Sequence, residues 1–161
     1  GRDKPHVVLA GDIDAGNATT GQTVVVVGAG LIGCETALHL AMEGKDVTVV
    51  DVLEENRVAD DAGFITKDSL IQLLREHGVK LITETKVDQI NDGTVSVVGK
   101  AWNKRELPAD TVVLATGYCA KNGFTESFRD LAYDVFTVGD CCAPENIMTA
   151  VHSGYNVASE V

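Results

Sequence analysis

Thr23-Val24-Val25-Val26-Val27-Gly28-Ala29-Gly30-Leu31-Ile32-Gly33-Cys34-Glu35 reads as a buried strand that breaks into three spaced glycines and then enters a helix. From Leu31 to Glu43 the apolar residues Leu31, Ile32, Ala37, Leu38, Leu40 and Ala41 recur at helical spacing, and Gly44 stands where a helix cap belongs. A second apolar strand, Val47 to Val50, ends in Asp51. A lone GxGxxG is a weak signal. Strand, glycine turn, helix, strand and terminal acid in this order form a dinucleotide-binding turn.

Each glycine has a separate task there. Gly28 permits the strand-to-helix reversal, Gly30 leaves room for a pyrophosphate beside the backbone, and Gly33 lets the helix lie close on the sheet. Residues 30 to 33 open the helix, so their amides and the positive end of its dipole face the phosphates. Gly28, Ala29, Gly30, Leu31, Ile32 and Gly33 are therefore the expected phosphate cradle. Asp51 follows Gly30 by 21 residues, close to the ~20-residue offset at which a carboxylate accepts from the adenosine ribose. A 2'-phosphate would meet like charge at Asp51, Glu54 and Glu55, so NAD(H) is favoured over NADP(H).

Composition narrows the function classes. The 161 residues are 45% hydrophobic, enough for one domain with an appended segment. Thirteen basic against 24 acidic residues give a net charge of -11, which repels nucleic acid and anionic membranes. No apolar run reaches the ~20 residues of a membrane span, and no secretory leader is evident, so a cytoplasmic location is expected. The sequence begins Gly-Arg-Asp without an initiator methionine and runs straight into Val7-Val8-Leu9-Ala10, which suggests a piece of a longer protein.

Cys34, Cys119, Cys141 and Cys142 show no CxxC spacing and no accompanying histidine pair, so no metal site is expected. Cys34 could have its thiol pKa lowered by the helix dipole, but a packing role suits its apolar setting better. Vicinal Cys141 and Cys142 could bridge only under strain. His6, His39, His77 and His152 are scattered and read as packing or solvated residues. Trp102 is expected to close a meander rather than stack on a base.

The rest of the chain extends the first unit. Residues 64 to 77 form a second helical stretch with Ile65, Leu70, Leu73 and Leu74 apolar and Gly78 as its stop, followed by a strand from Val79 to Ile82. Between 84 and 107, Val87 and Ile90, the turn Asn91-Asp92-Gly93, alternating Val95 and Val97, and the polar loop Asn103-Lys104-Arg105 predict antiparallel strands. Thr111 to Ala115 returns as one more strand ending at Thr116-Gly117. The expected fold is α/β, a Rossmann-like parallel sheet with a three-stranded antiparallel β-meander as one crossover. Beyond Gly117 periodicity fades, Asp134 to Val138 is strand-like, and a helix is expected from about Glu145 to Val161 with Ile147, Ala150, Val151, Gly154, Val157 and Ala158 on its apolar face.

Val24 to Ala37, Val113-Leu-Ala-Thr-Gly117 and Phe136-Thr-Val-Gly-Asp140 followed by a helix together resemble the pyridine-nucleotide domain of two-dinucleotide-domain flavoproteins. Within that group the chain is most similar to the carboxy-terminal half of the 2,4-dienoyl-CoA reductase, enoate reductase and NADH:flavin oxidoreductase family, whose amino-terminal half is an old-yellow-enzyme barrel. The resemblance covers nearly the whole chain. It implies that residues 1–20 come in from a preceding FAD domain, 21–117 form the NAD(H)-binding domain and 118–161 return toward the FAD domain. It also implies that Glu35 lies near the nicotinamide amide, Asp51 holds the ribose, Val52 and Val87 flank the adenine, Thr116 and Gly117 pass near the other end of the cofactor, and Asp140 meets the ribityl-phosphate region of FAD.

The departures are large. The amino-terminal half of the FAD domain, the FMN barrel and the cysteine cluster for an iron-sulfur centre are absent, so FAD, FMN and that cluster are expected only in the complete parent. Hydride chemistry belongs to the cofactors, so no catalytic residue is assigned and the chain alone should bind NADH without reducing anything. Its remaining partners would be the missing FAD and barrel domains. Without them, the 118–161 segment would fold back over its own sheet or pair with another chain as a homodimer. Two other readings stay open: a stand-alone dinucleotide-binding redox sensor, and a free-standing NAD dehydrogenase, against which the lack of a suitably placed proton donor counts.

Overall fold

The computed structural model describes residues 1–120, 123–128 and 130–160. They fall into two compact units, Gly1–Thr116 and Gly117–Val161. In chain order the first unit holds β1 (Val7–Leu9), α1 (Ala10–Asp14), β2 (Thr23–Val27), α2 (Leu31–Met42), β3 (Asp46–Val50), α3 (Phe64–Glu76), β4 (Lys80–Ile82), β5 (Thr85–Ile90), β6 (Thr94–Gly99), β7 (Lys104–Pro108) and β8 (Thr111–Leu114). A five-stranded sheet runs in the order β1-β8-β2-β3-β4, and every pairing in it is parallel. β5, β6 and β7 form a separate three-stranded antiparallel sheet. The Rossmann-like sheet with a meander crossover is thus the observed architecture.

The valine run explains the layering. Successive strand residues point to opposite faces. Val24 and Val26 accordingly join Val47, Val49 and Val113 in a core with the helical residues Cys34, Ala37, Leu40, Leu70 and Leu74. Val25 and Val27 face the other way and pack with Val50, Val112, Ile90, Val95 and Val97. One face of the parallel sheet is therefore covered by helices and the other by the meander. A strand buried on both faces has no room for polar alternation, which is why β2 reads as a continuous apolar run.

The glycine turn fixes how closely α2 approaches. A Cβ on Gly33 would run into the carbonyl of Gly28, with the Ala115 Cβ at 3.1 Å. Gly28 has φ +110, and a side chain there would collide with the carbonyl of Ala115. Glycine is required at both positions by close backbone approach. The small residues Gly33, Cys34, Ala37 and Ala41 are all buried on α2, so its axis can lie near the sheet.

Some local expectations shift. Lys104 and Arg105 are not loop but the first residues of β7, and the turn lies earlier, with Trp102 at φ +57 and its N–H donating to the Gly99 carbonyl at 3.0 Å. Trp102 thus sits in the β6–β7 turn, but it is 87% exposed. In the second unit, α4 (Gly123–Glu126) and α5 (Ile147–Glu160) are the helices, and Val161, the expected helix end, lies outside the described residues. Residues 134–138 form no strand. A strand needs a neighbour for its amides and carbonyls, and among the described residues of this unit there is none.

Candidate functional site

The parallel sheet sets the carboxyl ends of β2, β3 and β8 side by side, and the expected binding residues of the first unit lie on the segments leaving those ends. Gly28 donates its N–H to the Val50 carbonyl at 2.9 Å, and Ala115 donates to the Val27 carbonyl at 2.8 Å. The turn from β2 into α2 is thereby tied to both neighbouring strands. Ligands of open α/β sheets bind at this edge.

Asp51, directly after β3, closes against the turn. Its Oδ2 accepts from the Ala29 amide at 2.6 Å and its Oδ1 from the Leu53 amide at 2.8 Å. The first bond fixes the acid beside the glycines, and the second folds the chain back at Val52, whose side chain is 63% exposed. Each carboxylate oxygen has two lone pairs, so acceptor capacity remains for hydroxyl donors. Val87 lies on β5, two residues beyond Thr85, whose amide donates to the Asp51 carbonyl at 2.8 Å. The strand that carries Val87 is thus anchored to Asp51, while Val87 itself is half-buried against the meander core.

Helix α2 begins with Gly30 as its N-cap and has no side-chain cap of its own there. Cys34 is the first residue to donate within the helix, to the Gly30 carbonyl at 3.0 Å. Helix geometry leaves the Leu31, Ile32 and Gly33 amides without partners inside the helix. Together with the dipole they form an anion-binding end. Glu35 is exposed one turn further along. Thr116 follows Ala115, and its backbone nitrogen would be 3.4 Å from a Cβ on Gly28, so it lies against the turn.

Asp61 is a member of this site that sequence reasoning missed. Its Oδ1 accepts from the Leu31 amide at 2.7 Å. The two residues lie 30 positions apart, and nothing in the Asp60-Asp61 pair distinguishes one acid from the other. The structure does separate them: Asp60 pairs with Lys67 at 3.0 Å and Arg57 at 3.4 Å, which hold its carboxyl below the usual range. Asp61 turns instead to the glycine turn.

Cys34 is a packing residue. It is fully buried and its thiol is pushed up to about 12, first by burial and then by Asp61, Asp51 and Glu35. Cys141 and Cys142 are exposed and unbridged. Among the described residues no cluster of His, Cys, Asp or Glu could hold a metal ion, and no helix is long and apolar enough to cross a membrane.

In the second unit Gly117 opens the chain with φ +93. Asp140 occupies a short 3-10 turn, Gly139–Cys141, which is pinned to α5 because the Gly139 amide donates to Ser153 Oγ at 2.7 Å. Asp140 itself is exposed.

The profile of the pyridine nucleotide-disulphide oxidoreductase family matches residues 7–133. An NADH oxidase of Thermoanaerobacter brockii is 33% identical over 163 residues, covering 99% of this chain and 25% of the oxidase. A cinnamate reductase of Clostridium sporogenes is 29% identical over 164 residues, covering 100% of this chain and 24% of the reductase. Among solved structures, a 2-naphthoyl-CoA reductase in complex with 2-naphthoyl-CoA superposes with a TM-score of 0.89 at 26% identity, covering 100% of this chain and 24% of that one. The chain spans about a quarter of the length of these relatives.

Proposed function

The chain belongs to the pyridine nucleotide-disulphide oxidoreductase family, and we propose that within it the chain is the NAD(H)-binding domain of a flavin-dependent oxidoreductase. In the complete protein it would present NADH to FAD for reduction of an enoate, a dienoyl-CoA or a similar acceptor. The relatives named as cinnamate reductase and 2-naphthoyl-CoA reductase support an unsaturated acid or thioester as that acceptor.

The observation that carries the nicotinamide reading is the Ala29–Asp51 hydrogen bond of 2.6 Å, which sets an acid beside the glycine turn. The amides of Leu31, Ile32 and Gly33 would take the pyrophosphate, Asp51 the adenosine ribose, and exposed Val52 with Val87 the adenine. Glu35, Thr116 and Gly117 would serve the nicotinamide half. When bound, the cofactor supplies the hydride, and the protein's part is placement. Asp140 and the amino end of α5 are assigned to FAD in the parent protein, whose FAD domain would also supply a strand neighbour for residues 134–138. FMN and an iron-sulfur cluster belong to the same parent in this reading. Free cysteines accord with a reducing, cytoplasmic setting.

Calorimetric titration of the 161-residue chain with NADH and NADPH tests the reading. NADH should bind more tightly, and Asp51→Ser should narrow the difference by removing both the ribose acceptor and the repulsion of a 2'-phosphate. Equal affinities in the wild type would count against the role of Asp51.

A further inference from the structure

We propose that Asp61 is an internal competitor for the cofactor's pyrophosphate, a carboxylate latch on the nucleotide site. The proposal rests on the NAD(H) reading above. Two observations place the carboxylate where the diphosphate would lie. Its Oδ1 takes the first free amide of α2, that of Leu31, at 2.7 Å. Its Oδ2 stands 3.3 Å from the position a Cβ would occupy on Gly30, the residue whose missing side chain opens the approach to the backbone. An anion arriving at this helix end meets an anion already there.

The latch is held by its own segment. Val58 and Ala59 are buried, at 1% and 0% exposure. Ala59 sits at φ +51, donates its amide to the Ala29 carbonyl at 2.8 Å, and accepts from Ala62 at 3.0 Å. A non-glycine residue in that conformation is kept there by its surroundings. The backbone before Asp61 is thus stapled to the glycine turn, while the Asp61 side chain at the surface is free to rotate away. Nucleotide binding then requires only a side-chain release. The Leu31 contact neutralises the helix end when the site is empty, and the apparent affinity falls by the fraction of molecules in which the latch is closed.

A residue that merely supports the fold and a residue that competes with the ligand make opposite demands. Removing a competitor that also caps a helix should lower thermal stability yet raise affinity. The experiment is titration of the wild type, Asp61→Asn and Asp61→Ala with NADH, alongside thermal denaturation of each. Asp61→Ala should tighten NADH binding about five- to tenfold, the effect of one charge-assisted hydrogen bond weakened by solvent exposure. Its midpoint should fall. Asp61→Asn, neutral but similar in shape, should lie between, and it decides the matter by the same comparison if Asp61→Ala does not fold. Unchanged or weaker binding in a folded variant, with NADH still bound by the wild type, would overturn the latch and leave the nucleotide site standing. No NADH binding by any of the three proteins would overturn the site and the latch together.

Discussion

Cys34 and the three glycines show how the same turn assigns opposite duties to adjacent residues. The Cys34 thiol lies behind the turn, with Sγ donating to the Ala29 carbonyl at 3.5 Å, whereas Cys119, Cys141 and Cys142 are exposed. At pH 8 a disulfide reagent should therefore label three thiols rapidly and the fourth only in denaturant; rapid labelling of Cys34 would show that the turn opens easily. The sign of its pH dependence follows from a thiol raised from 9.0 to about 12 in the folded chain. Below pH 9.0 the protonated form favours folding fully, and that contribution is lost as pH climbs toward about 12, because the unfolded thiol ionises first. The glycines divide similarly. Gly33→Ala drives a methyl into the Gly28 carbonyl and should destabilise the fold by about 2 kcal/mol or more. A Cβ on Gly30 has the Asp61 carboxylate as its nearest neighbour, with no backbone atom closer than 3.3 Å. Gly30→Val should fold, as judged by circular dichroism, and fail to bind NADH in a titration.

Among the elements, the meander is where sequence pattern and packing agree most closely. Val95 and Val97 alternate in the sequence and are both fully buried under the parallel sheet, while Val87 and Leu107 pack at their margin. Val97→Ala should cost about 2 kcal/mol in chemical denaturation through the cavity it leaves. The hairpin Asn91-Asp92-Gly93 was legible because its chemistry is local: Asn91 donates to Thr94 at 2.8 Å and Gly93 takes φ +81. The β6–β7 turn was less so, because Lys104 and Arg105 are polar for a reason outside the turn. They lie on an outer strand with exposed side chains, and Lys104 pairs with Asp88 on β5 at 2.7 Å. The same contrast separates Asp51 from Asp61. Asp51 ends a recognisable strand at a recognisable distance, whereas Asp61 gains its role only from a hydrogen bond made across 30 residues. Residues 134–138 have a strand's composition without a strand's neighbour, and composition alone cannot reveal that.

At the largest scale, the described residues of the second unit include several large apolar side chains that are exposed. Helix α5 buries none of its residues. The side that carries Ala150 and Ser153 meets the Gly139 turn. Ile147, Met148, Val151 and Tyr155 are 84%, 63%, 62% and 73% exposed. Light scattering should therefore detect self-association of the isolated chain, and Ile147→Glu with Val151→Glu should return it to a monomer. The purified chain should also be colourless if, as proposed, its glycine turn holds the nicotinamide nucleotide; a stoichiometric flavin spectrum would contradict the domain assignment. The pairing of β1 with β8 has a mechanical consequence. β1 begins just after His6 and β8 ends at Leu114, and these strands are parallel neighbours in register from Val7 with Val112 to Leu9 with Leu114. Tension between residues 6 and 117 would drag the two strands past each other along their length, loading their hydrogen bonds together in shear instead of peeling them singly. Pulled at those two positions, this strand pair should resist like a lap joint, not open like a zip.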